Sequence, residues 1–548
     1  MNRIILPACL ALFAPSLLAA DLFVPGGHPT IQGAILAASS GDTVHVAAGT
    51  WVEALDFLGK DIRVVATDGA TATELRAPAL AGSVVTFQSG EGPGATLEGF
   101  HVTENHNADF LPLIHIAGAS PTLLSLELTG MDATAISATD GDPTITSCAI
   151  HNAGVPSGRG IELRRSDAII RFCSIHDLWL EAIFSTQSSS PVVERSAVYD
   201  CLQAFNISTD LLPTAGDTSH PVISHCVFAR NGWNALYSPA IEVGASLSVT
   251  ATDSLFLDHT ELVLHAQGSP ATSADEVLFE RNQVFASQSS ILPTLLLKNL
   301  GKVVLRNNVF ALDPTTMPLG GALSVLNNQS TTLESNTVSS FGHVASVSAS
   351  AASLPIFQGG LFAYQSDAVA FFGLAPEFAA ATNLGGAGTS VVMITAPGFV
   401  DRAARDLHLR ASSVAVNGGA HSSAAIDLEG DPRTPPPDYG ADELQPASLW
   451  VSGTPLSGGA MRLVVQGPPG APVFLGIATS LLPTPLPTLV GDLEIGPAFT
   501  LLPLGPLAPD GLLQIPFNAP ITATPIALFG QALVGLQLTK AKEFVLGG

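Results

Sequence analysis

Between Leu97 and Val338 a small or polar residue recurs every 22 to 30 residues, with one apolar residue three positions before it and another two positions after it. The central column reads Phe100, Leu126, Cys148, Cys173, Ser196, Cys226, Asp253, Asn282, Asn307 and Asn336, its first two members bulkier than the rest. Three positions earlier stand Leu97, Leu123, Ile145, Ile170, Val193, Ile223, Thr250, Phe279, Val304 and Leu333, apolar in nine cases of ten. Two positions later stand Val102, Leu128, Ile150, Ile175, Val198, Phe228, Leu255, Val284, Val309 and Val338, apolar in all ten. In a chain that is 47% hydrophobic, independent positions do not produce 19 such matches in 20, so a structural unit of fixed period is repeating.

Each period holds two to four short stretches rich in Val, Ile, Phe and Thr, separated by Gly, Pro, Ser and Asp. Helical repeats of this length need amphipathic runs of ten or more residues, so strands fit and helices do not. Successive coils then pair as parallel strands roughly 4.8 Å apart, and the central column becomes an interior ladder. Asn282, Asn307 and Asn336 are expected to run as amide-to-amide hydrogen bonds, and Cys148, Cys173 and Cys226 to fill the same slot as small buried groups.

Both ends of the repeat look different from its middle. Ile31, Ala34, Ile35 and Ala38 recur at helical spacing after Thr30, which predicts a short amphipathic helix over 30–39 lying across the first coil. Strands are expected at Thr43 to Val46 and Ile62 to Ala66, and shorter or irregular coils over 341–405. The Gly and Pro punctuation of "DLHLRASSVAVNGG" and "IDLEGDPRTPPPDYGADE" predicts a terminating coil and a boundary near residue 445. Residues 446–548 alternate apolar strands with Pro-rich turns, which predicts a small antiparallel β-sandwich, too short and too Pro-rich for a membrane barrel.

The block "TIQGAILAASSGDTVHVAAGTWVE" resembles the N-terminal cap and first coil of the pectin lyase-like right-handed parallel β-helix proteins, with Trp51 where Tyr is commoner. Asp427, Gly430, Arg433, Gly440, Ala441 and Glu443 resemble the end of secreted bacterial β-helix proteins that often carry an additional C-terminal anchoring or sorting module. Together the two stretches bracket residues 28 to 443. The fold class expected is therefore all-β: a right-handed parallel β-helix over 21–445, capped by a helix, followed by the sandwich. The resemblance implies little about activity, because this superfamily mixes enzymes with binding and adhesion proteins.

Residues 1–20 carry one Arg, an apolar stretch and small residues before Asp21, the pattern of a secretory signal peptide. Cys9 lies too close to Arg3 for a lipoprotein signal, and no later apolar run is long enough for a membrane span. Four Cys then remain; three stand on the ladder and Cys201 lies five residues past Ser196, so buried thiols are expected and no disulfide framework is required. A net charge of −25, with only five Lys in 548 residues, excludes nucleic acid as a partner. Charged residues are only 12% of the chain, which leaves a surface of Ser, Thr, Ala, Gly and Asn suited to a rigid extracellular wall.

Three positions past the ladder stand His151, His176 and Tyr199, and the next column holds Asn152, Asp177 and Asp200. Arg171 and Arg195 precede ladder positions of the same coils, and Arg164 and Arg165 lie on an adjacent stretch. A polysaccharide lyase needs a base beside a uronate carboxylate and a cation to hold the developing charge. In that reading His176, Asp177, Asp200 and Arg171 are the catalytic candidates, and Asp177 and Asp200 the metal ligands, with Ca²⁺ the one cofactor considered and none required. His151, Tyr199, Arg195 and Arg164 are the ligand-binding candidates. The plainer reading is that all of these are solvated turn residues.

The polygalacturonase and pectin methylesterase motifs are missing. "FLDHTE", at Phe256 to Glu261, is similar to a pectate lyase segment but lacks its Arg partner, and "DGDP", at Asp140 to Pro143, lacks a full Ca²⁺ loop, so both read as turns. His101, His106 and His115 show no metal spacing. The function expected is a secreted or cell-surface, non-catalytic binder of an extracellular glycan or other cell-surface component. The alternative is a polysaccharide lyase or glycoside hydrolase using the His176 cluster.

Overall fold

The computed structural model describes residues 19–548 apart from 79–81, 104–110, 131–133, 153–157, 209–218, 233–240, 244–247, 260–261, 269–274, 287–293, 313–322, 327, 341–346, 350–355, 359, 365–370, 373–390, 395–397, 402–403 and 418–423. The expected signal peptide, apart from its last two residues, lies outside the described residues, as do His106, Glu261 and most of 341–405. Strands follow one another around three sheets of 14, 14 and 13 parallel strands, in the order first, second, third, first. Ile145 pairs with Ile170, and Ala149 with Ser174, so residues about two dozen apart are lateral neighbours, as the period requires. Inward positions from all three sheets, including Phe87, Phe205, Phe228, Phe256 and Phe279, form one continuous buried core.

From Gly99 to Asn336 the turn from the first sheet to the second takes two residues per coil. The first adopts a left-handed conformation, as at Ser147 (φ 53°), Phe172 (52°), Asp253 (53°) and Asn307 (54°), and the second points inward. The inward column is Phe100, Leu126, Cys148, Cys173, Ser196, Cys226, Ser254, Asn282, Asn308 and Asn336. Asp253 and Asn307 are therefore not ladder members, contrary to the sequence expectation; Ser254 and Asn308 are. Each polar ladder side chain accepts the backbone N–H of the coil below: Cys173 N donates to Ser196 Oγ (3.1 Å), Ser254 N to Asn282 Oδ1 (3.0 Å), Asn282 N to Asn308 Oδ1 (2.9 Å) and Asn308 N to Asn336 Oδ1 (3.0 Å). The amides donate in turn to backbone carbonyls, Asn308 Nδ2 to Phe279 O at 2.7 Å and Asn336 Nδ2 to Leu305 O at 2.8 Å. Cys148, Cys173, Cys201 and Cys226 are all buried free thiols, and burial pushes Cys226 up to about 12.

A second ladder runs along the turn that leaves the second sheet. Cys201 N donates to Asn231 Oδ1 (3.0 Å), Asn231 N donates to His259 Nδ1 (3.3 Å), and His259 Nε2 donates to Phe228 O (3.2 Å). His259 is thus a neutral interior imidazole whose tautomer is set by its two partners, and burial lowers its pKa to about 4.

The expected cap helix forms over Ile31–Ala37, with Thr30 Oγ1 accepting from Gly33 N at 3.0 Å. Ile31, Ala34 and Ile35 are fully buried against the first coil. Glu53 accepts from Ile31 N and Gln32 N, while Lys60 Nζ donates to the carbonyls of Ile35, Leu36 and Ala38, so the first coil satisfies both helix ends. Gln32 pairs with the backbone of Asp56 through both its amide atoms, imitating the strand that would otherwise lie there. A strand the sequence reading missed, Asp21–Val24, adds to the edge of the first sheet beside Thr43–Val46.

Residues 399–443 do not stack as a final coil. The described residues among them lie along the outside of the second sheet, where the outward residues Ala197, Val227, Ala229, Leu257, Phe285, Val309 and Ala311 form a second apolar cluster with Phe399, Leu407, Leu409, Leu428 and Ala441. The physical reason is that an outward apolar column needs cover. The Arg433 and Glu443 side chains, each 2% exposed, pair at 3.3 Å and tie the segment's loops together, and Ala441 N donates to Thr337 Oγ1 on the sheet. From Ser448 onward antiparallel sheets share a separate core that includes Leu449, Leu463, Val473, Ala532 and Phe544. No helix among the described residues is long and apolar enough to cross a membrane.

Two outcomes follow from the ladders. Asn308→Ala strands the Asn282 N–H and the Phe279 carbonyl and lowers stability by about 2–4 kcal/mol, whereas Ser147→Gly keeps the left-handed turn and costs about 1 kcal/mol or less; chemical denaturation distinguishes them. Because the folded pKa of His259 lies below its unfolded value of 6.5, its contribution is complete above pH 6.5 and is lost as the pH falls toward 4. The loss is on the order of 3 kcal/mol, and a His259→Asn variant has a flatter stability profile across that window.

Candidate functional site

The column selected from the sequence assembles. His151, His176 and Tyr199 pair in register on the second sheet and point outward. Their rings stack at centroid distances of 4.9 and 4.7 Å with interplanar angles of 5° and 6°. The stack runs along the solenoid axis, so each ring covers the next and mainly ring edges meet solvent. His151 Nε2 lies 3.4 Å from Glu127, and His176 Nδ1 lies 2.8 Å from Asp177 Oδ2. Burial lowers the His176 pKa against the pull of Asp177, which favours neutral imidazole at neutral pH.

The remaining candidates disperse. Asp177 and Asp200 occupy left-handed turn positions just past the stack. Asp200 gives both oxygens to Arg230, at 2.8 and 2.6 Å, and Arg230 also lies over the Tyr199 ring. The expected metal pair is therefore already partnered, Asp177 by imidazole and Asp200 by guanidinium. Arg171 faces out of the first sheet beside Glu194 (3.3 Å), and Arg164 out of the third beside Glu162 (2.9 Å). Neither shares a face with His176. Arg195 reaches the C-terminal sheets, where it forms a two-pronged pair with Glu543, one contact at 2.9 Å. Its position makes it a domain fastener rather than an open ligand contact.

The two motif fragments resolve into turns. In "DGDP", Asp140 pairs with Arg165 of the next coil, and Asp142 Oδ1 accepts from Asp167 N at 2.7 Å. In "FLDHTE", His259 is the ladder imidazole and Asp258 pairs with Arg405 at 2.9 Å. His101 Nε2 meets Thr129 Oγ1 at 2.7 Å.

The sequence reading missed a groove of about 710 Å³ between the solenoid and the C-terminal sheets. Its solenoid wall carries His225, Asp253, Asp258, Arg281, Gln283 and Phe285; Arg405 and Glu429 come from the covering segment, and Ser452, Thr454, Phe529, Lys542, Glu543 and Phe544 from the C-terminal sheets. Arg281 grips Asp253 through two hydrogen bonds of 2.6 and 2.8 Å. His225 Nδ1 is buried without a hydrogen-bond partner among the described residues. The sequence signal was the Asp and Arg at equivalent turn positions of successive coils, Asp253 with Arg281 and Asp200 with Arg230. The far wall comes from residues hundreds of positions away, which no period reveals.

Residues 113–284 match the family model described as "Right handed beta helix region". Among solved structures, the catalytic domain of GH87 alpha-1,3-glucanase in complex with nigerose is 11% identical, covering 69% of this chain and 68% of that one, with a TM-score of 0.29. The polygalacturonase from Erwinia carotovora ssp. carotovora is 13% identical over 64% of this chain and 96% of that one, with a TM-score of 0.28. The enzymatically active domain of bacteriophage CBA120 tailspike protein 2 is 8% identical over 97% and 77%, with a TM-score of 0.26. Likenesses this distant carry no argument about activity. No curated protein matches the chain.

Proposed function

From the right-handed parallel β-helix of the pectin lyase-like kind that this chain forms, we propose a secreted or cell-surface, non-catalytic binder of extracellular polysaccharide or another surface partner. Its ligand occupies the groove between the solenoid and the C-terminal sheets, and those sheets serve attachment, sorting or auxiliary binding. The observation that carries this reading is the state of the groove's carboxylates. Asp253 is held by Arg281, Asp258 by Arg405, Glu429 by His408 and Glu543 by Arg195. A glycosidase needs one protonated and one free carboxyl about 5 to 9 Å apart, and paired carboxylates do not supply them. Fixed Arg–Asp forks instead present oriented donors and acceptors to neutral hydroxyls. The second sheet's outer face is closed to a long chain beyond Tyr199 by residues 399–443.

A second reading, a lyase or hydrolase, is favoured by one feature: the neutral His176 imidazole beside Asp177 has the make-up of a general base. Incubating the protein with uronate and neutral polysaccharides, with and without Ca²⁺, separates the two. Binding predicts retention in a pull-down without unsaturated product or new reducing ends, with retention falling about tenfold in Arg281→Met and Arg405→Met. Product that disappears in His176→Ala and Asp177→Ala overturns the binder reading in favour of the enzyme.

A further inference from the structure

Behind the groove wall lies a group of side chains that shares the His408–Glu429 pair with the groove. His408, on the strand Asp406–Leu409, sits with Glu429 and Asp442, one ligand-type atom from each lying within 4.8 Å of the others. His408 Nδ1 is 2.6 Å from Asp406 Oδ1, and Asp406 Oδ2 accepts from Trp450 Nε1 at 3.1 Å. The Trp450 ring stacks on the imidazole with centroids 4.1 Å apart. The ring is thereby fixed with Nδ1 facing a carboxylate and Nε2 turned to Glu429, at 2.8 Å. A carboxylate behind one nitrogen and an open donor set before the other is the arrangement that orients histidine ligands toward metals.

Two further observations are independent of that cluster's own hydrogen bonds. A cavity of about 10 Å³, close to the space of a single small sphere, borders Asp406, His408 and Asp442 but not Glu429, which meets the imidazole from its other side. Asp442 is 8% exposed, and its Oδ2 accepts from Leu409 N. Buried charge is also unbalanced. Asp406, Glu429 and Asp442 face a single imidazole, while Lys542 is occupied by Asp431 and the Glu429 carbonyl, and Arg405, which also borders the cavity, pairs with Asp258. A divalent cation supplies what an imidazolium alone does not.

We propose that His408, Glu429 and Asp442 form a binding site for a divalent transition-metal ion, with Asp406 and Trp450 positioning the histidine. One imidazole nitrogen with carboxylate oxygens suits Zn²⁺ or Mn²⁺ better than Ca²⁺ or Mg²⁺, which prefer oxygen alone. Ligand atoms around a tetrahedral ion with bonds near 2.1 Å lie about 3.4 Å apart, so the three side chains close by small rotations. All three ligands belong to the covering segment, so the ion ties that segment's own loops together, with Trp450 of the C-terminal sheets packed on the ligating histidine.

The test is calorimetric titration of the EDTA-treated, full-length protein with ZnCl₂ and with MnCl₂, read together with Tm. One Zn²⁺ or Mn²⁺ per chain and a raised Tm are expected, with Glu429→Gln and Asp442→Asn each weakening binding at least tenfold. Both variants keep the shape of the original side chain, and a metal-free Tm within a few degrees of the parent confirms that they fold. X-ray absorption at the Zn edge supplies a second measurement, expected to contain one imidazole. Absence of binding by either ion, binding unchanged in both variants, or an oxygen-only coordination shell overturns the site. None of these outcomes bears on polysaccharide retention, so the site and the binder reading fail separately.

Discussion

Stacking one coil on another buries a row of backbone N–H groups at the turn between the first and second sheets, and each of them needs an acceptor. At five of the ten rungs the acceptor is a side chain of the coil above. Ser196, Ser254, Asn282, Asn308 and Asn336 each have a side chain short enough to stay in the turn and an oxygen aimed down the axis. Burying an amide unpaired costs about 1–3 kcal/mol, so a solenoid of a dozen coils is not stable with that row left empty. The preceding left-handed residue makes the turn sharp enough for the side chain to point inward at all. The long apolar core, the parallel sheets and the stacked surface columns all depend on this repeated exchange.

Most of the architecture was legible because the repeat obeys two rules at once, apolar on the inside and small or polar at the turn. Where the reading slipped by one residue, the cause is visible. Thr250 was the lone polar residue among twenty tested, and moving the frame to Ser254 replaces it with the fully buried Ala251. At Asn307 no such warning existed. Val309 points outward yet is only 4% exposed beneath the covering segment, so the second sheet is apolar on both faces there and alternation is erased. The same cover explains why residues 399–443 did not read as a lateral plate: nothing local says which face of the solenoid they join.

The candidate site divided along similar lines. Register was readable, and it brought His151, His176 and Tyr199 into a ring stack. Sheet membership around the coil was not, so Arg171 and Arg164 were grouped with side chains they do not face. The groove and the His408 cluster draw on parts of the chain far apart in sequence. Arg195 with Glu543, and Asp406 with Trp450, are contacts that exist only after the C-terminal sheets dock.

The helix over Ile31–Ala37 closes the solenoid using only its own first coil: Glu53 and Lys60 hold its ends, and Gln32 stands in for a missing strand. Nothing in that closure depends on how many coils follow. The plug is therefore portable, and whole turns can be duplicated or deleted in the interior during evolution while the same twenty or so N-terminal residues continue to blunt the exposed edge. Solenoid length is thus set independently of the plug, which needs no change when coils are added or removed behind it.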